Sequence, residues 1–243
     1  MNTTSDPFSH HPELREKIAD PLQSFSRTLT TKFIAEKTRE LGLTPNWWYS
    51  DNDRETLRAE ALVGHMDQDL WVFGYGSLMW DPAIRFSEVR RAHLPGYSRQ
   101  FILKDIYGGR GTEDAPGVMA ALDKGAGCDG LLFKINQKNV DEETEVLWRR
   151  EQIGPAYIPT FVETIVADQP ITALTFVADH DSILIDANMT RDEQIHYFAT
   201  GTGFMGTSLE YLENVNAQFK TLGIVDEDAK ALLHEIQEYM RTR

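Results

Sequence analysis

Glu151 is the acidic side chain whose position in the chain points to chemistry. It lies in NVDEETEVLWRREQI, residues 139 to 153, a stretch with helical periodicity. Wound at about 100° per residue, the stretch places Glu151 on the apolar face with Val140, Thr144, Leu147 and Trp148. It also sits near the predicted helix C-terminus, where the dipole disfavours negative charge. Desolvation and the dipole both push a carboxyl pKa upward, toward what a general base needs near neutral pH. The pattern fits two readings, an inward-facing base or a rim carboxylate with its tip in water.

A second candidate is the run Gly74-Tyr75-Gly76-Ser77-Leu78-Met79-Trp80, directly after the apolar segment Leu70 to Phe73. Two glycines flanking an aromatic permit a tight turn with several backbone N–H groups aimed the same way. Such a turn can hold an anion or a carbonyl oxygen. Ser77 could cap the next element or bond a ligand directly. An ordinary strand-to-loop turn is the plainer alternative. GGRGTEDAPG, residues 108 to 117, reads either as a substrate-facing loop or as a solvated hairpin connection.

Other catalytic apparatus has no support in the sequence. GTGFMG, residues 201 to 206, matches GxGxxG but comes after an amphipathic stretch rather than a strand. A helix-to-helix linker therefore fits better than a dinucleotide site. No GxSxG is present, and none of the seven histidines forms HExxH or a similar metal spacing. The single cysteine, Cys128, lies in the Gly-rich segment GAGCDG, which reads as a turn. No sequence neighbour would lower its pKa, so it reads as a packing residue.

The net charge of −14 argues against nucleic acid or an anionic membrane surface as the main partner. MNTTSDPFSHHPELREK, at the start, lacks the apolar centre of a signal peptide. No apolar run approaches the roughly 20 residues of a membrane span. A soluble, cytoplasmic protein is the expectation.

These candidates must be positioned by the surrounding elements. A hydrophobic content of 41% supports a sizeable core. Helical segments are expected at Thr30 to Leu41 and at Asp51 to His65, the latter capped by Asp51 or Asp53. The polar leader before Phe25 reads as loose. Residues 1 to 69 thus form a helical extension, with Phe33, Leu41, Trp47, Trp48 and Tyr49 as its contacts to a core of residues 70 to 243. Within the core, strands are expected at 70 to 73, 98 to 104, 117 to 122, 129 to 135, 157 to 166 and 171 to 177. Helices are expected next, at 191 to 200, 207 to 222 and 227 to 241. This grouping predicts an α+β fold, with a largely antiparallel sheet or small barrel surrounded by helices.

The chain resembles the ChaC family of γ-glutamylcyclotransferases. The resemblance runs from about Trp71 to the C-terminal helices. It is carried by WVFGYGSLMWDP (71 to 82), GRGTEDAPGVMAAL (109 to 122), LWRREQIGPAYIPTF (147 to 161) and GTSLEYLENV (206 to 215). It implies cleavage of glutathione to 5-oxoproline and cysteinylglycine, with no metal or cofactor. It also implies that Glu151, in WRRE, is the catalytic glutamate. The substrate-holding loop then falls on Gly74, Tyr75, Gly76, Ser77, Leu78 and Met79, and a substrate-contacting tyrosine on Tyr211. Other γ-glutamyl peptides or amines, and a non-catalytic binding module on the same fold, remain open alternatives. The YGSLMW form of the loop favours glutathione. The extension is longer than the family resemblance implies.

Overall fold

The computed structural model describes residues 6–242. Helix α1 (Thr31–Glu40) opens at Thr30, whose hydroxyl accepts the Phe33 N–H. Helix α2 (Asp51–Ala61) is capped by Ser50, which accepts the Asp53 N–H. The aspartates expected as caps instead occupy the first turn, where negative charge suits the helix dipole.

Five strands close a barrel: β1 (Leu70–Gly74), β2 (Glu88–Tyr107), β3 (Thr112–Ile135), β4 (Tyr157–Val166) and β5 (Gln169–Ala178), in the order β1-β3-β2-β4-β5. Parallel pairing of Val72 with Leu174 completes the closure. All other neighbours in that order are antiparallel. This is the expected α+β class in its barrel form, with helices packed outside. Val72, Phe73, Leu131, Leu132 and Phe133 are fully buried where β1 meets β3.

Two expected strands, 117 to 122 and 129 to 135, are parts of the single strand β3. GAGCDG does not end the strand, because β2 continues opposite it, pairing Leu94 with Cys128 and Pro95 with Gly127. The register shift next to Pro95 is absorbed by Gly96 and Gly127, both at positive φ. Such a bulge bends a long ribbon without terminating it. Cys128 packs against the core, and burial pushes its thiol pKa up.

Helix α3 (Val140–Glu151) comes after β3 and packs on β5, with Trp148 edge-on to Phe176 at 5.3 Å between ring centroids. Helices α4 (Arg191–Thr200), α5 (Ser208–Leu222) and α6 (Glu227–Arg241) pack on one another, and the first two also on β3. Between α4 and α5, GTGFMG forms a two-stranded hairpin of Thr202–Gly203 and Gly206–Thr207. It leads into α5 through a capping box of Thr207 and Glu210.

Residues 6 to 24 are not loose, and the first five residues of that leader lie outside the described residues. Leu14 and Ile18 are buried in the same cluster as the barrel. Ala19 N–H donates to Trp80 O at 2.8 Å, Val89 N–H to Pro7 O at 3.0 Å, and Arg91 N–H to His11 Nε2 at 3.0 Å. Two apolar residues among polar ones are enough to dock a leader with no helical pattern. The N-terminal region also grips α3. Arg58 bonds Asp141 and Thr144, Arg54 bonds the Gln152 carbonyl, and Arg27 pairs with the fully buried Glu143 at 2.7 Å.

Candidate active site

Helix α3 delivers Glu151 as its last residue. The chain leaves helical geometry at Gln152, and both ends of that side chain's neighbourhood are fixed. Gln152 Nε2 donates to Tyr157 O at 2.8 Å, and its carbonyl accepts from Arg54. Glu151 therefore sits at a pinned junction between α3 and β4. Its side chain is 14% exposed. Burial raises its carboxyl pKa above the ordinary 4.5, while the charge and hydrogen bond of Arg150 pull it part of the way back. Glu151 Oε1 accepts from Arg150 Nε at 2.7 Å. Among the described residues no other hydrogen bond reaches the carboxylate, so Oε2 is free of protein partners.

Arg150 ties the carboxylate to the glycine turn. Its Nη2 donates to Ser77 Oγ at 2.6 Å, and its Nη1 to the Asp81 carbonyl. The turn itself is a short 3-10 segment, Ser77–Met79. Its internal hydrogen bonds are donated by the N–H groups of Met79, Trp80 and Asp81. Among the described residues, no hydrogen bond outside regular helix and strand pairing is donated by the N–H groups of Gly76, Ser77 and Leu78.

Glu151, Tyr75, Gly76, Ser77, Leu78 and Tyr211 all line one cavity of about 410 Å³. The other two residues expected in the substrate loop do not. Gly74 stays in the β1 ladder opposite Leu131. Met79 is fully buried, with its carbonyl accepting from Gln218 Nε2 at 3.3 Å. The turn reverses between them, so only its middle faces the cavity.

Gly76 is required by close approach. A Cβ there would lie 2.6 Å from Tyr211 Oη. That hydroxyl accepts the Ala120 N–H at 3.2 Å, while Tyr157 donates to the Ala120 carbonyl at 3.2 Å. Tyr75 donates to Phe176 O at 2.9 Å. Burial pushes all three phenols up, and the nearby Glu151 charge adds to it. They are neutral at pH 7 and can act as hydrogen-bond donors or acceptors, not as phenolate bases.

Sequence reasoning did not single out Arg150, Tyr157 or Arg110. Arg150 and Tyr157 stand inside the WRREQIGPAY motif, one on each side of Glu151, and that was the available signal. TEDAPG already belongs to β3, and GGRG, residues 108 to 111, is the tight β2–β3 connection, held by the Asp105 carboxylate on the Tyr107 and Arg110 N–H groups. Its Gly109 and Arg110 nevertheless line the cavity. So do Phe25, Ser26 and Trp47 of the N-terminal region, which no local pattern connects to the site.

The ChaC-like protein family matches residues 70–239, from the start of β1 to near the end of α6. The chain belongs to the ChaC-like family. It is 29% identical over 194 residues to the glutathione-specific gamma-glutamylcyclotransferase of Escherichia coli strain K12, covering 79% of this chain and 84% of that one. It is 34% identical over 150 residues to glutathione-specific gamma-glutamylcyclotransferase 1 of Mus musculus, covering 60% and 67%. A crystal structure of the glutathione-specific enzyme from yeast superposes with a TM-score of 0.65 at 20% identity, covering 71% of this chain and 97% of that one. That likeness establishes the shared fold. Residues 6–69, which grip α3 and line part of the cavity, precede the family match.

Proposed function

We infer that this ChaC-like protein is a glutathione-specific γ-glutamylcyclotransferase. The observation that carries the reading is a half-buried carboxylate, Glu151, sharing one cavity with the Tyr75–Leu78 turn. The named relatives supply the substrate class.

The reaction is an intramolecular displacement. The α-amine of the γ-glutamyl group attacks its own γ-carbonyl carbon and closes a five-membered lactam. The bond from that carbon to the cysteine nitrogen breaks. Two protons leave the attacking ammonium nitrogen and two arrive on the leaving nitrogen, so the balance closes without water. Glu151 takes a proton from the α-amine and passes one to the departing amide nitrogen. Its raised pKa suits both halves of that transfer. The N–H groups at Gly76, Ser77 and Leu78 hold the oxyanion that develops on the γ-carbonyl. Tyr211 packs on Gly76 and shapes the floor on which the glutamyl chain bends. Holding that bent conformer lowers the barrier because attack no longer waits for chain rotation. Arg150 is a positioning residue, fixing the carboxylate relative to the Ser77 turn. Because glutathione is held as its thiol in a reducing compartment, the cytoplasm is the location this reading implies.

The test is direct. Purified protein is incubated with glutathione across a range of pH, and 5-oxoproline is measured by mass spectrometry. Folded protein giving no product above background would sink the assignment. Parallel rates on γ-glutamyl-alanine report how far the leaving dipeptide matters.

A further inference from the structure

Of the two arginines that line the cavity, Arg150 has a carboxylate partner and Arg110 has none. The contrast extends to the other arginines of similar burial. Arg54 pairs with Asp51 at 3.1 Å, Arg58 with Glu55 at 2.8 Å and Arg99 with Asp226 at 2.7 Å. Arg110 is only 9% exposed, yet no carboxylate oxygen among the described residues lies within 4.0 Å of its guanidinium. Nη1 donates to Thr207 O at 2.8 Å, and Nε is buried with no hydrogen-bond partner among the described residues. The two carboxylates whose charge acts on Arg110 are already used. Asp105 accepts peptide N–H groups of its own hairpin, and Glu210 closes the α5 capping box.

A buried cation left unpaired is costly, because its lost hydration is not replaced. Burial acts on Arg110 in that direction, lowering its pKa from the ordinary arginine value. The arrangement becomes favourable when an anion enters the cavity, since a planar guanidinium with free donors matches a carboxylate. The side chain is also held in place for that purpose, by the Thr207 carbonyl and by the Tyr211 ring, whose centroid lies 5.4 Å from the guanidinium carbon. Glutathione carries two carboxylates, one on the glutamyl α-carbon and one on glycine.

We propose that Arg110 is the cavity's anchor for a carboxylate of the substrate. The proposal rests on the glutathione reading of the site. It makes the β2–β3 hairpin a specificity element, selecting γ-glutamyl compounds that keep the carboxylate in question.

The experiment measures binding by calorimetry in the Glu151→Gln protein, so that no turnover intervenes. Three ligands are compared: glutathione, its glycine amide and its glutamyl α-amide. In the parent, one amide is expected to bind at least about tenfold more weakly than glutathione, the usual scale for losing a charge-assisted bond. Adding Arg110→Gln should weaken glutathione to the level of that amide and erase the difference between them. The ratio for the other amide should stay unchanged. Whichever amide responds identifies the end of glutathione that Arg110 holds. A purely structural role for Arg110 would weaken all three ligands equally and leave both ratios intact, and that result would overturn the proposal. If Arg110→Gln fails to fold, Arg110→Lys takes its place; the retained charge without the planar fork should shrink the ratio, and an unchanged ratio again overturns it. Absence of glutathione binding to the parent would remove the substrate reading, and the anchor with it. Binding with unaltered ratios would remove the anchor alone.

Discussion

Arg150 Nε bonds Glu151 Oε1 at 2.7 Å, so adjacent residues at the end of α3 form a half-buried ion pair that lines the cavity. The pair leaves one carboxylate oxygen free and spends the rest of the guanidinium on Ser77 and Asp81. Glu151→Gln keeps a side chain able to accept from Arg150 but not to take a proton. It should fold and lose cyclotransferase activity by about 10²–10⁴, the range for removing a general base. Product formation from glutathione is the readout. A Gln variant with near-normal turnover would remove Glu151 from the mechanism.

The pH profile is set by the same pair. Activity requires the ionised carboxylate, and burial places its pKa above 4.5. The acid limb of kcat/KM should therefore lie above the ordinary glutamate range. Arg150→Met removes the charge that opposes the burial effect, so the limb should move to still higher pH. A limb at or below 4.5, or a downward move in the variant, contradicts this mechanism. The stability sign is opposite to that of a salt-bridged acid. A raised folded pKa means that ionising Glu151 costs stability as pH rises from the unfolded value through the folded one. Wild type should accordingly lose stability relative to Glu151→Gln over that window.

Glu143 provides the converse case on the same helix. Burial pushes its pKa up, but bonds from Arg27, from the Arg85 peptide N–H and from the Arg85 side chain outweigh that and hold it below 4.5. Its stabilising contribution is present above the unfolded pKa and is lost as pH falls through the folded one. Glu143→Ala leaves two arginine side chains facing an empty buried site, and should cost about 3–5 kcal/mol. Denaturant unfolding at pH 7 and at acid pH measures both effects. Equal destabilisation of the variant at both pH values would contradict the linkage.

Gly76→Ala brings a methyl group to 2.6 Å from Tyr211 Oη. Either the turn or the tyrosine must move, and activity should fall at least about tenfold, as small displacements of positioned groups do. Tyr211→Phe removes the clashing oxygen. The double variant should then recover part of what Gly76→Ala lost, while Tyr211→Phe alone weakens the enzyme. Strictly additive losses would show that the two residues do not meet as described.

Much of this site is legible in local sequence because its chemistry lies on one helix end and one turn. The apolar face of α3 marks Glu151 as either an inward base or a rim carboxylate, and two glycines around Tyr75 mark the turn. What local pattern could not convey is partnership across the barrel. Arg150 reads as a surface arginine until the Ser77 turn is folded against it. Arg110 lies in a segment that reads equally as a substrate-facing loop or a solvated connection until β2 and β3 pair and bring it to the cavity. The long strands escaped because glycines that look like terminators are tolerated where a partner strand continues. The docked leader escaped because Leu14 and Ile18 show no period; their burial depends on a groove built from residues far along the chain.

That dependence runs in both directions and sets the final prediction. Deleting residues 1–69 removes Leu14, Ile18, Leu29, Ile34 and Leu62 from buried positions. Truncating one buried Leu or Ile to Ala costs about 2–5 kcal/mol, and whole domains are stable by only about 5–15 kcal/mol. The deletion also strips α3 of Arg27, Arg54 and Arg58. The isolated 70–243 fragment should therefore fail to unfold cooperatively, even though it contains the whole family match. Circular dichroism melts of fragment and full chain make the comparison; a fragment melting near the full-length midpoint would make the N-terminal region a dispensable appendage. A second variant separates support from direct contact. Trp47 stacks on Tyr107 at 4.5 Å and lines the cavity without belonging to the buried cluster. Trp47→Ala in the full chain should leave the melting midpoint within a few degrees and raise KM for glutathione several-fold, with a smaller effect on kcat. If KM is unchanged, the N-terminal region supports the helix that carries Glu151 but takes no part in holding substrate.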